Sequence, residues 1–236
     1  MKPVLYLIPS PLSDMPVTGV LPSDCLDRDS NLTYFVVEEL RTARRYLSRA
    51  GLSVATLHFS ELNEHTRDEE LYPLLEPLRK GYSMGLISEA GLPAVADPGA
   101  GLVALAHKEG FPVEPMPGPS SLMMALMASG LNGQQFAFNG YLPVKPEARR
   151  RRIKELEKRS GAEGQTQLFI ETPYRNGALM SDLLDTCMGS TRLTLAIDLT
   201  SPGSFICTLT VEEWKKNKPD FEVKWHKKPC VFILQA

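Results

Sequence analysis

Hydrophobic and polar positions follow two alternating periods along the first half of this chain. Short runs dense in apolar and β-branched residues, PVLYLI, TYFVVEEL, VATLHF, YSMGLIS and FPVEPM, have the length and composition of strands. Most of the stretches between them place apolar residues at helical spacing. ELRTARRYLSRAG runs from Glu39 to Gly51, RDEELYPLLEPLRKG ends at Gly81 and PGAGLVALAHKEG ends at Gly110. Each closes on basic residues and a glycine, as helix C-termini do. Strands separated by single helices predict right-handed crossovers into a mainly parallel sheet covered on both faces.

The order changes after Met116. PGPSSLMMALMASGL reads as a helix, FAFNGYL as a strand, RRRRIKELEKR as a helix, TQLFIE as a strand and RNGALMSDLLDTCM as a helix. RLTLAID, SFICTLTV and KPCVFILQA then follow as strands without intervening helices, which requires antiparallel pairs in a mixed sheet. The fold class is therefore α/β in two domains, 1–117 with a mainly parallel sheet and 118–236 with a mixed one. Apolar residues at 43% and charged residues at 23% supply a normal core and exclude disorder.

Lys and Arg total 26 against 28 Asp and Glu, a net charge of −2, so any nucleic acid must be held by a local patch and not by bulk charge. Such a patch exists in KPEARRRRIKELEKR, with eight basic and three acidic residues including Arg149, Arg150, Arg151 and Arg152. It is either a solvated helix face or a set of phosphate contacts. Cys25, Cys187, Cys207 and Cys230 are far apart and do not cluster with histidine, so no metal site is expected. No apolar run approaches the ~18 residues that span a bilayer, and a cytoplasmic protein with no membrane partner is the expectation.

In open α/β sheets ligands bind beyond the carboxyl ends of strands. There the chain carries Pro9 to Leu12, then Glu38, Glu39 and Arg41, then SEAGLPAVADPGAG, PGPSS, and Glu171 to Arg175. The turn from Ser88 to Gly101 holds three glycines and two prolines, so its backbone can approach a ligand closely. Neither G-x-G-x-x-G, G-x-x-x-x-G-K-[ST] nor G-x-S-x-G occurs, which excludes the common dinucleotide, P-loop and hydrolase signatures. Asp97, Pro98 and Gly99 read as N-cap, N1 and N2 of a helix. Leu122, Met123, Met124, Leu126 and Met127 read as core. Ser120 and Ser121 either cap a helix or hold a carboxylate at its N-terminus. Glu39 and Arg41 are either a solvated first turn or functional groups. Glu171, at the end of an apolar run, needs a partner such as Arg175.

EELRTARRYL, SELNE, ISEAGLPAVADPGAGLV, PGPSSLMMALMASGL, FNGYLP and IETPYR, in this order and spacing, resemble the tetrapyrrole methylase superfamily. Within it they are most similar to the ribosomal RNA small-subunit methyltransferase I branch. The resemblance runs from about Leu7 to Thr200. It implies two α/β domains with S-adenosylmethionine (SAM) in a cleft between them, a homodimer, and methyl transfer from SAM to a cytidine ribose 2′-hydroxyl in small-subunit ribosomal RNA. It implies SAM contacts from Pro11, Glu89, Ala90, Gly91, Pro93, Val95, Ser120, Ser121, Glu171 and Thr172, with Glu39 as base or orienter and Arg41 positioning a phosphate or carboxylate. The alternatives are a SAM-dependent methylase of a small tetrapyrrole-like acceptor and a non-catalytic RNA-binding homologue. Four motifs depart from the branch pattern. T-P-I-G-N is here Ser10 to Asp14, E-D-T-R is Glu38 to Arg41, S-D-A-G-T-P is Ser88 to Pro93, and E-L-T-K is Asp198 to Ser201, without its lysine.

Overall fold

A computed structural model describes residues 2–19, 21–22 and 31–236. Cys25 lies outside the described residues. The chain divides into two compact units, one up to Ser120 and the other from Ser121, where the sequence places the change between Pro117 and Gly118.

The first unit is built on five strands, β1 (Leu5–Ile8), β2 (Tyr34–Val37), β3 (His58–Glu61), β4 (Met84–Ile87) and β5 (Val113–Pro115), in the order β3-β2-β4-β1-β5. Every neighbouring pair is parallel. The residues on β2 alternate between the two sides. Phe35 and Val37 pack with Ile8, Ile87, Ala43, Tyr46 and Leu47 under helix α1 (Leu40–Arg49), whereas Val36 joins Leu5, Met84, Leu86, Leu78 and Leu102 on the other side. That second layer comes from α2 (Asp68–Leu74), α3 (Glu76–Arg79) and α4 (Ala100–Lys108). Both faces are therefore covered, which is why β4 is apolar throughout and buried at all four positions. Gly85 on β4 cannot carry a side chain: a Cβ there would lie 2.5 Å from Ile8 Cδ1 and 2.9 Å from Phe35 Cδ1.

Two elements differ from the sequence reading for local reasons. The helix expected up to Gly81 is broken into α2 and α3, because Pro77 has no N–H to bond the Pro73 carbonyl one turn earlier. The strand expected from Val54 begins at His58, since Val54–Thr56 forms a 3-10 turn.

The second unit contains α5 (Ser121–Ser129), β6 (Phe136–Tyr141), α6 (Pro146–Glu163), β7 (Thr166–Ile170), α7 (Asn176–Thr186), β8 (Arg192–Ile197), β9 (Phe205–Thr210), α8 (Val211–Lys216) and β10 (Cys230–Gln235). Its sheet order is β6-β7-β10-β8-β9. The β6/β7 pair is parallel and the other three pairs are antiparallel, the mixed sheet expected from consecutive strands. A single large core runs from Leu156 and Phe169 through Leu179 and Leu183 to Trp214, Trp225 and Phe232. Helix α8 replaces the end of a strand: Thr210 and Glu213 form a reciprocal capping box that starts it. On α5, Leu122, Ala125 and Leu126 are buried, but Met123 is 44% and Met127 82% exposed, so these two methionines are not the core residues the pattern suggested.

Candidate active site at the switch point of the first sheet

β1 and β4 are neighbours whose connections leave in opposite directions, toward β2 and toward β5, so the sheet's topological switch point lies at their carboxyl ends. The loops that follow them are tied together there. Ser10 N–H donates to the Gly91 carbonyl at 2.9 Å, Gly91 N–H donates to the Ser10 carbonyl at 3.1 Å, and the Ser10 hydroxyl donates to the Ser88 carbonyl at 3.0 Å. Gly91 sits at φ +83°, and a Cβ on it would lie 3.2 Å from Leu12 Cδ2 and 3.6 Å from the Pro119 carbonyl oxygen. Gly118 is more constrained, with Pro9 only 2.3 Å from any added Cβ. The loops after β1, β4 and β5 thus converge through glycine. Ala94 and Ala96 also hold left-handed φ of +63° and +66°, a conformation that costs an alanine roughly 1–2 kcal/mol and is most often retained at functional sites.

A pocket of ≈190 Å³ opens beside this junction, bounded by Ser10–Asp14, by Thr42, Arg45, Tyr46 and Arg49 of α1, and by Glu89 and Ala90. Of the expected cofactor residues, Pro11, Glu89 and Ala90 line it and Gly91 abuts it. Pro93 is buried in the same turn and Val95 is 44% exposed on it. Ser120 closes the first unit and Ser121 begins α5.

The carboxylates around the junction are in unequal environments. Glu39 is the N-cap of α1: it accepts from Arg41 N–H at 2.9 Å and, through its other oxygen, from Thr42 N–H at 2.6 Å and the Thr42 hydroxyl at 2.7 Å. These bonds, the Thr42 hydroxyl first, hold its pKa below the usual carboxylate value. A carboxylate so occupied is a helix cap and a weak base. Its neighbour Glu38 has the opposite tendency. Burial raises its pKa against the Glu89 N–H that it accepts at 3.1 Å, and the charges of Glu89 and Glu64 add to the rise.

Asp97 departs from the sequence reading. Helix α4 is capped by Gly99 at φ +133° and begins at Ala100, so Asp97 caps nothing. Its carboxyl is partly buried with Glu38 nearby, and burial followed by the Glu38 charge lifts its pKa from the ordinary 3.8 to about 6; the Ser88 hydroxyl opposes this and Glu89 adds a little. The Ser88 Oγ is itself buried without a hydrogen-bond partner of good geometry. Among the described residues, no group of three or more His, Cys, Asp or Glu side chains is arranged to hold a metal ion.

In the second unit, Glu171 follows β7 and its side chain is fully buried. One oxygen accepts from Arg175 Nε at 2.9 Å, Arg175 Nη2 at 2.6 Å and Thr172 N–H at 2.7 Å. Arg175 is thus the partner expected from sequence. The other oxygen, Oε2, is buried with no partner at all.

Sequence comparison decides the family. Over 165 residues the chain is 33% identical to the ribosomal RNA small subunit methyltransferase I of Thermotoga maritima, and the match covers 70% of each chain. The chain belongs to the ribosomal RNA small subunit methyltransferase I family. Proteins of the same name from Vibrio cholerae and Xylella fastidiosa are 33% identical over 198 residues and 37% identical over 164 residues, covering 84% and 70% of this chain. The chain spans 65% and 57% of the length of those two relatives. No protein-family model matches it. Among solved structures, cobalt precorrin-4 methyltransferase shares 16% identity at a TM-score of 0.64, covering 98% of this chain and 94% of that one. The methyltransferase CobJ shares 15% at 0.65, covering 100% and 95%. These likenesses establish the tetrapyrrole methylase fold.

Three of the four arginines singled out for RNA have partners within the protein, and one of the three is buried. Arg149 is buried: its Nε donates to Asp182 Oδ2 at 2.7 Å and its Nη1 to the Val144 carbonyl at 3.1 Å. Arg150 donates to the other Asp182 oxygen at 2.6 Å. Arg152 contacts Glu155 and Asn139 at 3.2 Å each. Arg151 alone is exposed with no hydrogen bond or ion pair among the described residues. The pair on Asp182 fastens α6 to α7, so half of the run holds the fold together, and Arg149 is withdrawn from any RNA-facing surface.

Proposed function

We propose that this chain is a SAM-dependent methyltransferase that methylates a ribose 2′-hydroxyl in small-subunit ribosomal RNA. The observation that carries this reading is the 33% identity to ribosomal RNA small subunit methyltransferase I over 70% of each chain. The residues present suit SAM. Gly91 leaves a cradle that a Cβ would crowd. Separately, within the second unit, the orphan Glu171 Oε2 is a buried acceptor whose desolvation, on the order of 1–3 kcal/mol, a ligand hydroxyl or amine would offset. Bound SAM supplies a methyl group on a sulfonium, which leaves the protein to align the acceptor hydroxyl and take its proton.

Asp97 is the proton acceptor in this reading. A carboxylate ionising at about 6 is matched to proton transfer near neutrality, whereas Glu39 spends its lone pairs on the α1 cap. Burial first, and then the charge of Glu38, keep that pKa raised. No helix among the described residues is long and apolar enough to cross a membrane, and the reading places the protein in the cytoplasm as a homodimer. Light scattering should then give twice the 26.2 kDa chain mass.

The deciding experiment incubates the protein with methyl-labelled SAM and small ribosomal subunits, then digests the RNA to nucleosides. Label in a 2′-O-methyl nucleoside is the expected result. Label on a base, or no label alongside a calorimetric SAM signal, refutes the ribose assignment.

A further inference from the structure

Helix α1, LRTARRYLSR, contains four arginines and no acidic residue. Its buried face is Ala43, Tyr46 and Leu47, and Arg41, Arg44, Arg45 and Arg49 are all exposed. At 100° per residue, Arg41, Arg45 and Arg49 fan over only about 80° of the helix surface, and each successive pair is separated by a rise of ~6 Å. That is a straight basic track along one face. Arg44 lies to its side with its guanidinium 5.3 Å from the Phe59 ring.

Two further observations connect this track to the candidate site. Arg45 and Arg49 line the pocket at the switch point together with Thr42 of the same helix, with Ser10 and Ser13 on the opposite loop. Among the described residues, one acid side chain makes an ion pair with the track: Asp14 of the first loop, 2.6 Å from Arg49 and 3.9 Å from Arg45. Asp14 is 74% exposed and its carboxyl is held below its usual pKa, chiefly by its hydrogen bond to Arg49. A carboxylate at the mouth of the pocket is thus already seated on two arginines in the way a phosphate oxygen would be.

We propose that Arg41, Arg45 and Arg49 form the seat for successive backbone phosphates of the RNA substrate, leading its strand into the switch-point pocket, and that Asp14 competes for the same arginines. This inference rests on the RNA reading given above and deepens it. It replaces the run at 149–152, whose Arg149 is buried on Asp182, with a surface whose three charges lie in line and whose ion-pair partner among the described residues, Asp14, is 74% exposed and displaceable. Arginine suits the role because its planar fork grips phosphate oxygens in pairs.

The test measures binding of a short single-stranded RNA by fluorescence anisotropy across a salt series. Each phosphate contact on a single strand contributes about 0.7 to the slope of log K against log salt. The triple variant Arg41→Gln, Arg45→Gln, Arg49→Gln should lower that slope by about 1.4 to 2.1, whereas Arg151→Gln, Arg152→Gln should leave it nearly unchanged. The triple lysine variant keeps the charges and should keep the slope, which separates lost charge from lost fold. Asp14→Asn should tighten binding at low salt. An unchanged slope in the glutamine variant, or a larger loss in the Arg151 and Arg152 variant, overturns the proposal while the methyl-transfer reading stands. Absence of RNA binding by the unmodified protein overturns this proposal, and the labelled-SAM assay on small ribosomal subunits then decides the methyl-transfer reading by itself.

Discussion

Replacing Asp97 by asparagine separates the cost of an ionised carboxylate from its use. Asp97 is partly buried with Glu38 as a like-charged neighbour and ionises at about 6 in the folded protein instead of at the ordinary 3.8. At about 1.36 kcal/mol per tenfold change in ionisation constant, that rise corresponds to ~3 kcal/mol for a group shielded from water. Partial solvent access screens it to about 1–2 kcal/mol. The sign follows from proton binding. Below pH 3.8 the carboxyl is protonated in both the folded and unfolded chain and carries no penalty. Between 3.8 and 6 the unfolded chain loses its proton first, so stability falls as pH rises, and above about 6 the whole penalty is present. Asp97→Asn should therefore stabilise the protein by about 1–2 kcal/mol at pH 7.5, a melting rise of about 2–8 °C, and the gain should vanish near pH 4. In the labelled-SAM assay the same variant should lose a factor of about 10² to 10⁴ in rate, as removal of a general base does. Urea melts of both proteins at pH 4 and 7.5 measure the first effect. Parallel pH profiles, or a variant less stable at pH 7.5, would refute the account of Asp97 as an uncompensated carboxylate.

Asp182→Ala should destabilise the chain by about 3–5 kcal/mol in urea melts because it leaves the buried Arg149 charge unpaired, and adding Arg149→Met should recover most of that loss. Gly91→Ala, at φ +83°, should cost roughly 1–2 kcal/mol of stability and weaken SAM in calorimetry; equal affinity would remove Gly91 from the cofactor site. Burial raises the thiol pKa of Cys187 and of Cys230, so in a maleimide time course read by peptide mass spectrometry both should label far more slowly than the half-buried Cys207.

The fold was legible because most strands are short, apolar and bounded by a helix or a turn, and these local signals agree with the global arrangement. What escaped the sequence depends on residues far apart along it. Four consecutive arginines look like a surface until Asp182 arrives from another helix, 33 residues beyond Arg149, to claim two of them. D-P-G signals a helix start, but Gly99 takes the cap itself and leaves Asp97 exposed to Glu38. The four-residue spacing of Arg41, Arg45 and Arg49 is plain in the sequence. That Asp14, at the last position of the loop departing from T-P-I-G-N, reaches back to that helix is visible only in the fold.

The order of the second sheet has a consequence for how the chain is made. β10 lies between β7 and β8, so the middle strand of that sheet is the last to be synthesised. Val231 pairs with Ile170, 231 − 170 = 61 residues earlier. At roughly 5–20 residues per second a ribosome takes roughly 3–12 s to cover that distance. Throughout that interval the first unit has every strand it needs and can complete its own sheet. β7 and β8 must wait with their facing edges unpaired, and an early stop or a stall just before Cys230 leaves an open, apolar edge ready to pair with another nascent chain.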